Sequence, residues 1–258
     1  MHVVSIGAGN VATHLSKVLH TSGFEIVQVY SRSEKSAKEL SDFLKTSYTT
    51  DIGCVKDDAS LYIISVSDEA VESVVNELPA TNGLVVHTSG SVSIDVFSGK
   101  FENYGVLYPL QTFSKNRSVD FSDIPLFLEA NSQISIQKLR KVAESISENI
   151  FEATSADRKK LHLSAVFGCN FVNHLFHISA HFAKEAGFEF SILSALLHET
   201  VNKAIHSNNP KSVQTGPAIR NDRKVIQNHL EMLSSNSEYH NIYAILSENI
   251  YKMKKVNR

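Results

Sequence analysis

Tryptophan is absent from this 258-residue sequence, and cysteine occurs only twice, at Cys54 and Cys169. Two cysteines so far apart provide neither a disulfide framework nor the closely spaced ligand pairs of a zinc site. No run of about eighteen apolar residues is present, so we expect no transmembrane helix. The net charge of −2 gives no electrostatic reason to expect nucleic acid or an anionic membrane as a partner. These absences favour a globular protein. The hydrophobic content of 42% is sufficient for such a protein to form a buried core.

The amino end of the sequence carries a glycine pattern typical of dinucleotide-binding proteins. His2–Ile6 has the β-branched content of a buried parallel strand, and residues 10–20 have helical spacing. Between them, Gly7 would make the tight turn and Gly9 would let the backbone approach a pyrophosphate, which the start of the helix would bind. An ordinary strand, turn and helix with incidental glycines is the alternative. The cofactor-binding residues predicted from this motif are Gly7, Ala8, Gly9, Asn10 and Val11.

The end of the second predicted strand, Glu25–Tyr30, indicates which dinucleotide is bound. An NAD-specific protein usually has an acidic residue here, about twenty residues past the glycines, to bind the ribose 2′-OH. This chain has Ser31, Arg32 and Ser33 instead. A guanidinium can bind a 2′-phosphate bidentately, and two hydroxyls can add hydrogen bonds. The pattern therefore predicts NADP(H), with a solvated loop position for Arg32 as the alternative.

Strand and helix patterns alternate through the first 155 residues. Strands are predicted over residues 2–6, 25–30, 47–50, 61–66, 83–87, 105–108, 125–129 and 149–152, with helices over residues 10–20, 34–44, 68–78 and 136–146. This order predicts an α/β Rossmann-like, doubly wound, mostly parallel sheet. Strand patterns are absent from residues 156–258, which predict an all-α domain with helices over residues 157–187, 191–206, 217–233 and 238–253.

Polar residues follow two of the predicted central strands. In open α/β sheets, ligands bind beyond the carboxyl ends of the strands, where the strand order reverses. Ser65, Val66 and Ser67 are therefore predicted to line the cofactor site, and the two hydroxyls could bond the ribose or carboxamide. His87 could donate a proton to a carbonyl or imine as hydride arrives. A structural histidine bonded to nearby backbone is the alternative.

Several further motifs resemble known families over essentially the whole chain. The first thirty-three residues are similar to pyrroline-5-carboxylate reductases and deazaflavin-dependent NADP oxidoreductases. The remaining motifs are residues 87–91 (His-Thr-Ser-Gly-Ser), 108–113 (Tyr-Pro-Leu-Gln-Thr-Phe), 170–173 (Asn-Phe-Val-Asn) and 215–222 (Thr-Gly-Pro-Ala-Ile-Arg-Asn-Asp). They resemble a bacterial family that joins a Rossmann-like domain to a helical domain of unknown function. That resemblance implies a helical domain like the dimerisation domain of 6-phosphogluconate dehydrogenase, and it implies no substrate.

A polar stripe runs along the longest predicted helix. Asn170, His174, His177 and His181 share one arc beside its apolar face. A solvent or subunit-interface stripe is the commonest explanation, a cleft-facing stripe is another, and no metal site is predicted because no nearby acid completes one. Asn170, which lies within the family motif, is the one site candidate and would orient the substrate.

Dehydrogenases with this domain layout act on ketopantoate or 3-hydroxyacids and place a catalytic lysine four residues before such an asparagine, where this chain has Val166. This departure weakens the analogy with their mechanism. Arg220, near a predicted helix start, could hold a substrate carboxylate. A surface ion pair is the alternative for Arg220.

These patterns predict a cytoplasmic NADP(H)-dependent oxidoreductase that reduces a small carbonyl or imine compound. An NADP(H)-binding sensor or interaction protein without turnover is the alternative, which the missing lysine favours. The longest predicted helix has apolar side chains on more than one side, so we expect much of it to be buried and a homodimer to form through the helical domain. Since the strand pattern begins at once, we expect no signal peptide.

Overall fold

The computed structural model describes the backbone of residues 1–255 and the side chains of residues 1–253. Its single sheet confirms the predicted eight strands. Their bounds are β1 His2–Ile6, β2 Glu25–Tyr30, β3 Ser47–Thr49, β4 Leu61–Ile64, β5 Leu84–His87, β6 Tyr104–Pro109, β7 Leu126–Ala130 and β8 Ile150–Glu152.

The strand order is β3-β2-β1-β4-β5-β6-β7-β8. Every neighbouring pair is parallel except β6 and β7. The chain winds outward from β1 through β2 to β3, then returns to place β4 on the other side of β1. The order therefore reverses between β1 and β4, and a doubly wound sheet opens a ligand crevice at the carboxyl ends of such a pair. The predicted fold class is confirmed.

Helices cover both faces of this sheet. Successive residues of a strand point to opposite faces, and both faces carry apolar side chains that need a covering layer. The helices of this part are α1 Asn10–Thr21, α2 Glu34–Leu44, α3 Asp68–Glu77, α4 Gln133–Glu144 and α5 Ser155–Ala165. One core joins strand residues such as Val3 and Leu126 to α1, α2 and α4, and it includes Leu15 and Leu139. The other core joins the opposite strand face to α3.

The carboxyl-terminal part is helical, as predicted, but two of its predicted helices are interrupted. Residues 157–187 do not form one α-helix, since a π-helical turn at Val166–Phe171 lies between α5 and α6. Residues 217–233 form two helices, because Asn221 adopts a left-handed conformation with φ of 59°. The remaining bounds are α6 Val172–Glu185, α7 Ser194–His206, α8 Pro217–Arg220, α9 Arg223–Met232 and α10 Ser237–Lys255.

The described chain divides into two compact units, of which the first is Met1–Asn170 and the second begins at Phe171. The change of sequence pattern predicted a domain boundary after residue 155. The structure instead includes α5 and most of the π-helical turn in the first unit. Helix α5 belongs with the sheet because its residue Arg158 is buried against that unit. The last three residues of the chain lie outside the described part. No helix of the described residues has the length and apolar content to cross a bilayer.

Candidate functional site

The turn between β1 and α1 has a backbone shape that only glycine adopts without strain. Gly7 has φ of 115°, and its N–H donates to the Tyr30 carbonyl at 2.7 Å. A Cβ at this position would lie 2.3 Å from the backbone oxygen of Ser65. The first glycine of the motif is therefore required by the protein's own packing, because it lets β1 and the end of β4 approach closely.

Gly9, two residues later, is different. A Cβ placed on it would meet no described heavy atom within 4 Å, and its φ of −78° is open to any residue. Gly9 is the N-cap of α1, where no described side chain makes a capping hydrogen bond. The first N–H groups of α1 thus lack a side-chain cap beside open space, which is the arrangement that binds phosphate at a helix start.

The segment after β2 presents one cation and two hydroxyls. The Ser31 hydroxyl accepts from the Ser33 N–H, and the Ser33 hydroxyl accepts from the Ser36 N–H to cap α2, both at 3.3 Å. In these bonds each hydroxyl accepts, so its hydrogen is left to donate elsewhere. Arg32 is exposed and forms no ion pair with the described residues. Its charge is therefore available to a phosphate.

These groups line one cavity of about 1080 Å³ at the carboxyl ends of the central strands, within the first compact unit. Its volume is slightly above the range of about 300–1,000 Å³ typical of small-molecule sites. The residues predicted from sequence to bind the cofactor all line it. They are Gly7, Ala8, Gly9, Asn10, Val11, Ser31, Arg32, Ser33, Ser65, Val66 and Ser67.

His87 does not line this cavity, and its prediction as proton donor is wrong. The side chain is 0% exposed and its ring stacks on Phe97 at 5.4 Å between centroids. Its Nδ1 accepts from the Ser89 N–H, and its Nε2 is buried as well. Burial, reinforced by the positive charge of Arg158, lowers the pKa of His87 to about 4. The ring is therefore neutral at physiological pH and belongs to the core.

A different histidine faces the cavity. His162 on α5 is half-buried, and its Nδ1 lies 3.2 Å from the hydroxyl oxygen of Tyr108 at the end of β6. Gly90 permits this approach, because a Cβ there would lie 2.8 Å from both Nδ1 of His162 and Cζ of Tyr108. Burial, with a smaller contribution from the negative charge of Asp68, raises the pKa of Tyr108 to about 12. The phenol therefore stays protonated at neutral pH.

Arg158, one helical turn before His162, holds this part of the wall together. It is 1% exposed and forms an ion pair with Glu129 on β7. Its guanidinium also donates to the carbonyls of Ser89 at 3.1 Å and Val92 at 2.6 Å. A buried charge is tolerated only when it is paired in this way. Because residues four apart share a helix face, the bonds of Arg158 also fix the position of His162 beside the Gly90 loop.

The π-helical turn places Asn170 on the same cavity. In a regular α-helix, a residue eight positions after His162 would lie about 80° away from it around the axis. One additional residue in the π turn absorbs about 100° of that rotation and brings position 170 back toward the face of His162. Both residues line the cavity. The sequence predicted Asn170 from its motif, but His162 carried no local signal, since its partners come from β6 and the loop after β5.

Two other candidates lie in the second unit. Arg220, at the end of α8, is exposed, and its role as a carboxylate ligand stays a prediction. In the histidine stripe, Nε2 of His181 lies 3.4 Å from a carboxylate oxygen of Glu185, so an acid is nearer than the sequence suggested. Among the described residues, however, no group of three potential ligands could hold a metal ion.

Comparison with known proteins gives two family matches and several similar structures. Residues 1–110 match the Rossmann-like domain, and residues 124–250 match the domain of unknown function DUF2520. A structure from Bacteroides fragilis, named "putative NADP oxidoreductase", is 44% identical, with 97% of this chain and 98% of that chain covered and a TM-score of 0.90. No curated protein matches the sequence.

Two more distant structures share the fold. The 1-pyrroline-5-carboxylate reductase from Streptococcus pyogenes is 14% identical, with 96% of this chain and 98% of that chain covered and a TM-score of 0.65. The pyrroline carboxylate reductase from Plasmodium falciparum, solved with NADP bound, is 13% identical over 98% of both chains, with a TM-score of 0.60. At these identities the likeness concerns the fold alone.

Proposed function

We propose that this chain, which belongs to the family that joins a Rossmann-like domain to the domain of unknown function DUF2520, is an NADP(H)-dependent oxidoreductase. Its substrate would be a small carbonyl or imine compound. The observation that carries the proposal is the cavity. It combines the uncapped start of α1, the space above Gly9 and the cation of Arg32 in one lining.

The lining residues fit a dinucleotide with a 2′-phosphate. The start of α1 offers backbone N–H groups to a pyrophosphate, and Gly9 leaves room for it to approach. Arg32 and the hydroxyl hydrogens of Ser31 and Ser33 match a phosphate monoester, and this segment has no acid to repel it. The 44% identical structure is named for NADP, which supports the same choice of cofactor.

Bound NADPH would supply the hydride for a reduction. The other tasks fall to the chain's own residues. The Ser65 hydroxyl accepts from Thr88 at 3.2 Å, which leaves its hydrogen to bond the ribose or carboxamide, a role Ser67 could share. Asn170 would orient the substrate from the π-helical turn. Since His87 is neutral and buried, it takes no part in proton transfer.

A binding protein without turnover is the second candidate, and the valine at position 166 favours it because related dehydrogenases have a lysine there. Loss of NADPH absorbance with glyoxylate, pyruvate, benzaldehyde and 1-pyrroline separates the two. Oxidation of NADPH with any one of them would support the reductase. Gly9→Val is the matched control, because its Cβ would enter the pyrophosphate space, where no described heavy atom lies within 4 Å of that Cβ. Tight NADPH binding with no oxidation by any compound would favour the binding protein.

We also propose that the protein is a homodimer paired through its helical unit. Among the described residues of that unit only Ala218 and Leu233 are buried, and none of α6 is, although the sequence predicted a largely buried helix. Large apolar side chains are exposed there, as at Phe188, Ile192, Leu196, Ile205, Met232 and Ile245. A symmetric pairing would remove such surface from water. Light scattering should give twice the chain mass of 28.6 kDa, and a monomer at micromolar concentration would contradict the pairing.

A further inference from the structure

The cavity contains a pair of side chains that the dinucleotide motif does not explain. Tyr108 and His162 reach it from β6 and α5, and they are joined by the 3.2 Å contact between the phenol oxygen and Nδ1. Gly90, where a Cβ would crowd both rings, leaves room for that contact. The contact uses Nδ1, so Nε2 is the ring nitrogen left to bond a ligand.

We propose that His162 is the proton donor to the substrate and that Tyr108 is the residue that positions its ring. This inference rests on the proposed reductase function and adds the group that such a reaction needs. As the carbonyl or imine carbon gains a hydride from the reduced nicotinamide, the electron pair of its double bond moves onto the oxygen or nitrogen. That atom takes the Nε2 proton of the His162 imidazolium, which becomes a neutral imidazole and regains a proton from water.

A phenol is suited to hold an imidazole through such a cycle. The Tyr108 oxygen can accept from Nδ1–H when the ring is charged, and its O–H can donate to Nδ1 when that nitrogen carries no hydrogen. Because burial keeps the phenol protonated, it remains a neutral partner in both states. Tyr108 therefore orients the ring without supplying the proton.

Arg158 and Asp68 lie on the elements that surround the pair. Arg158 ties α5 to the loop that carries Gly90, and its charge is matched by Glu129. Asp68 at the start of α3 lines the same cavity, accepts from the Ser91 hydroxyl and forms no ion pair with the described residues. The titratable and charged groups of the surrounding elements include His87, Tyr108, Glu129, Arg158 and Asp68.

The first test uses NADP⁺ as the probe and does not depend on turnover. In protein labelled with ring-¹⁵N histidine, the His162 signals are assigned by their loss in His162→Gln. We expect these signals to shift when NADP⁺ saturates the protein, and to shift in Tyr108→Phe, whereas the signals of exposed His20 should not. If calorimetry shows NADP⁺ bound while the His162 signals do not move, the inference is wrong. If NADP⁺ does not bind, the proposed function itself fails.

The second test compares rates on any of the four compounds that the wild type reduces. His162→Gln should lower kcat by about 10²–10⁴-fold, the usual contribution of a positioned acid, and leave the KM for NADPH nearly unchanged. Tyr108→Phe should lower kcat by less, again with little change in that KM. His20→Gln is the matched control and should match the wild type. A His162→Gln variant that binds NADPH normally and keeps the wild-type kcat would overturn the assignment.

Discussion

The two ends of the cavity are built from different parts of the polypeptide. At the end formed by β1, α1 and the segment after β2, the lining is backbone N–H groups, glycines and small hydroxyl side chains around one arginine. At the end formed by β6, the Gly90 loop and α5, it is side chains bonded to one another, with Tyr108 on His162 and Arg158 behind them. Backbone N–H groups can bind a phosphate whatever group is attached to it. Side chains that hold one another in position determine which reaction the site supports.

The two glycines of the motif sharpen the contrast within the first end. Gly7→Ala introduces strain at a positive φ and a clash with the Ser65 oxygen, so we expect a destabilisation on the order of 3–5 kcal/mol. The melting temperature should fall by about 10 °C. Gly9→Ala, whose Cβ enters open space, should melt like the wild type and lose NADPH affinity. Equal stability of the two variants in calorimetry would contradict the different roles assigned to these glycines.

The buried histidine gives the next largest effect, on stability as a function of pH. The pKa of His87 is about 4 in the folded protein against 6.5 for a free histidine, so the unfolded chain binds more protons between these values. Folding should therefore lose on the order of 3 kcal/mol as the pH falls from about 6.5 to about 4. His87→Asn keeps an acceptor for the Ser89 N–H and cannot titrate. This variant should therefore lose less stability than the wild type over the same pH range. An equal loss in the two proteins would exclude His87 as the source of the pH dependence.

Arg32→Ala tests whether the positive charge at the first end of the cavity binds the 2′-phosphate of the cofactor. Loss of a bidentate, charge-assisted contact to a 2′-phosphate should cost about 1.5–3 kcal/mol, which is roughly ten- to 150-fold in NADPH affinity. NADH has no 2′-phosphate, so its affinity should hardly change. Lys35→Ala, which removes an exposed cation from the first turn of α2, is the matched control. An equal loss for both cofactors would assign Arg32 a structural role instead.

Gly90→Ala tests the second end of the cavity, and its expected change in stability is smaller than that of Gly7→Ala. The added Cβ must displace Tyr108 or His162, and overpacking of this kind costs about 1–3 kcal/mol. Because the atoms nearest to the added Cβ belong to Tyr108 and His162 and not to the residues after β1 or β2, NADPH affinity should be retained while turnover falls. If Gly90→Ala lowered NADPH affinity as strongly as Gly9→Ala, the two ends of the cavity would not have the separate roles assigned to them.

Sequence reasoning identified the first end because its information is local. Gly7, Gly9 and Arg32 lie within thirty-three residues and act through a strand–turn–helix unit whose geometry follows from the order of its elements. The strands could be predicted for the same reason, since each buried strand is a short apolar run. The π-helical turn and the break at Asn221 could not, because they depend on packing around otherwise helical sequence.

The second end was mispredicted in one respect and missed in another. His87 ends a central strand, which suggested a cleft position, but the side chain of a strand residue can face either side of the sheet. The structure turns it onto Phe97. His162 meets Tyr108 across 54 residues of sequence, and no local pattern announces such a contact. The Arg158–Glu129 pair that supports it is equally remote, across 29 residues.

The most direct measurement of the central claim is a calorimetric titration of the wild-type protein with NADPH and with NADH. The cavity with Arg32, Ser31 and Ser33 at one end predicts one site per chain and an affinity for NADPH at least about tenfold higher than for NADH. Equal affinities, or no binding of either cofactor, would contradict the assignment of this cavity to NADP(H).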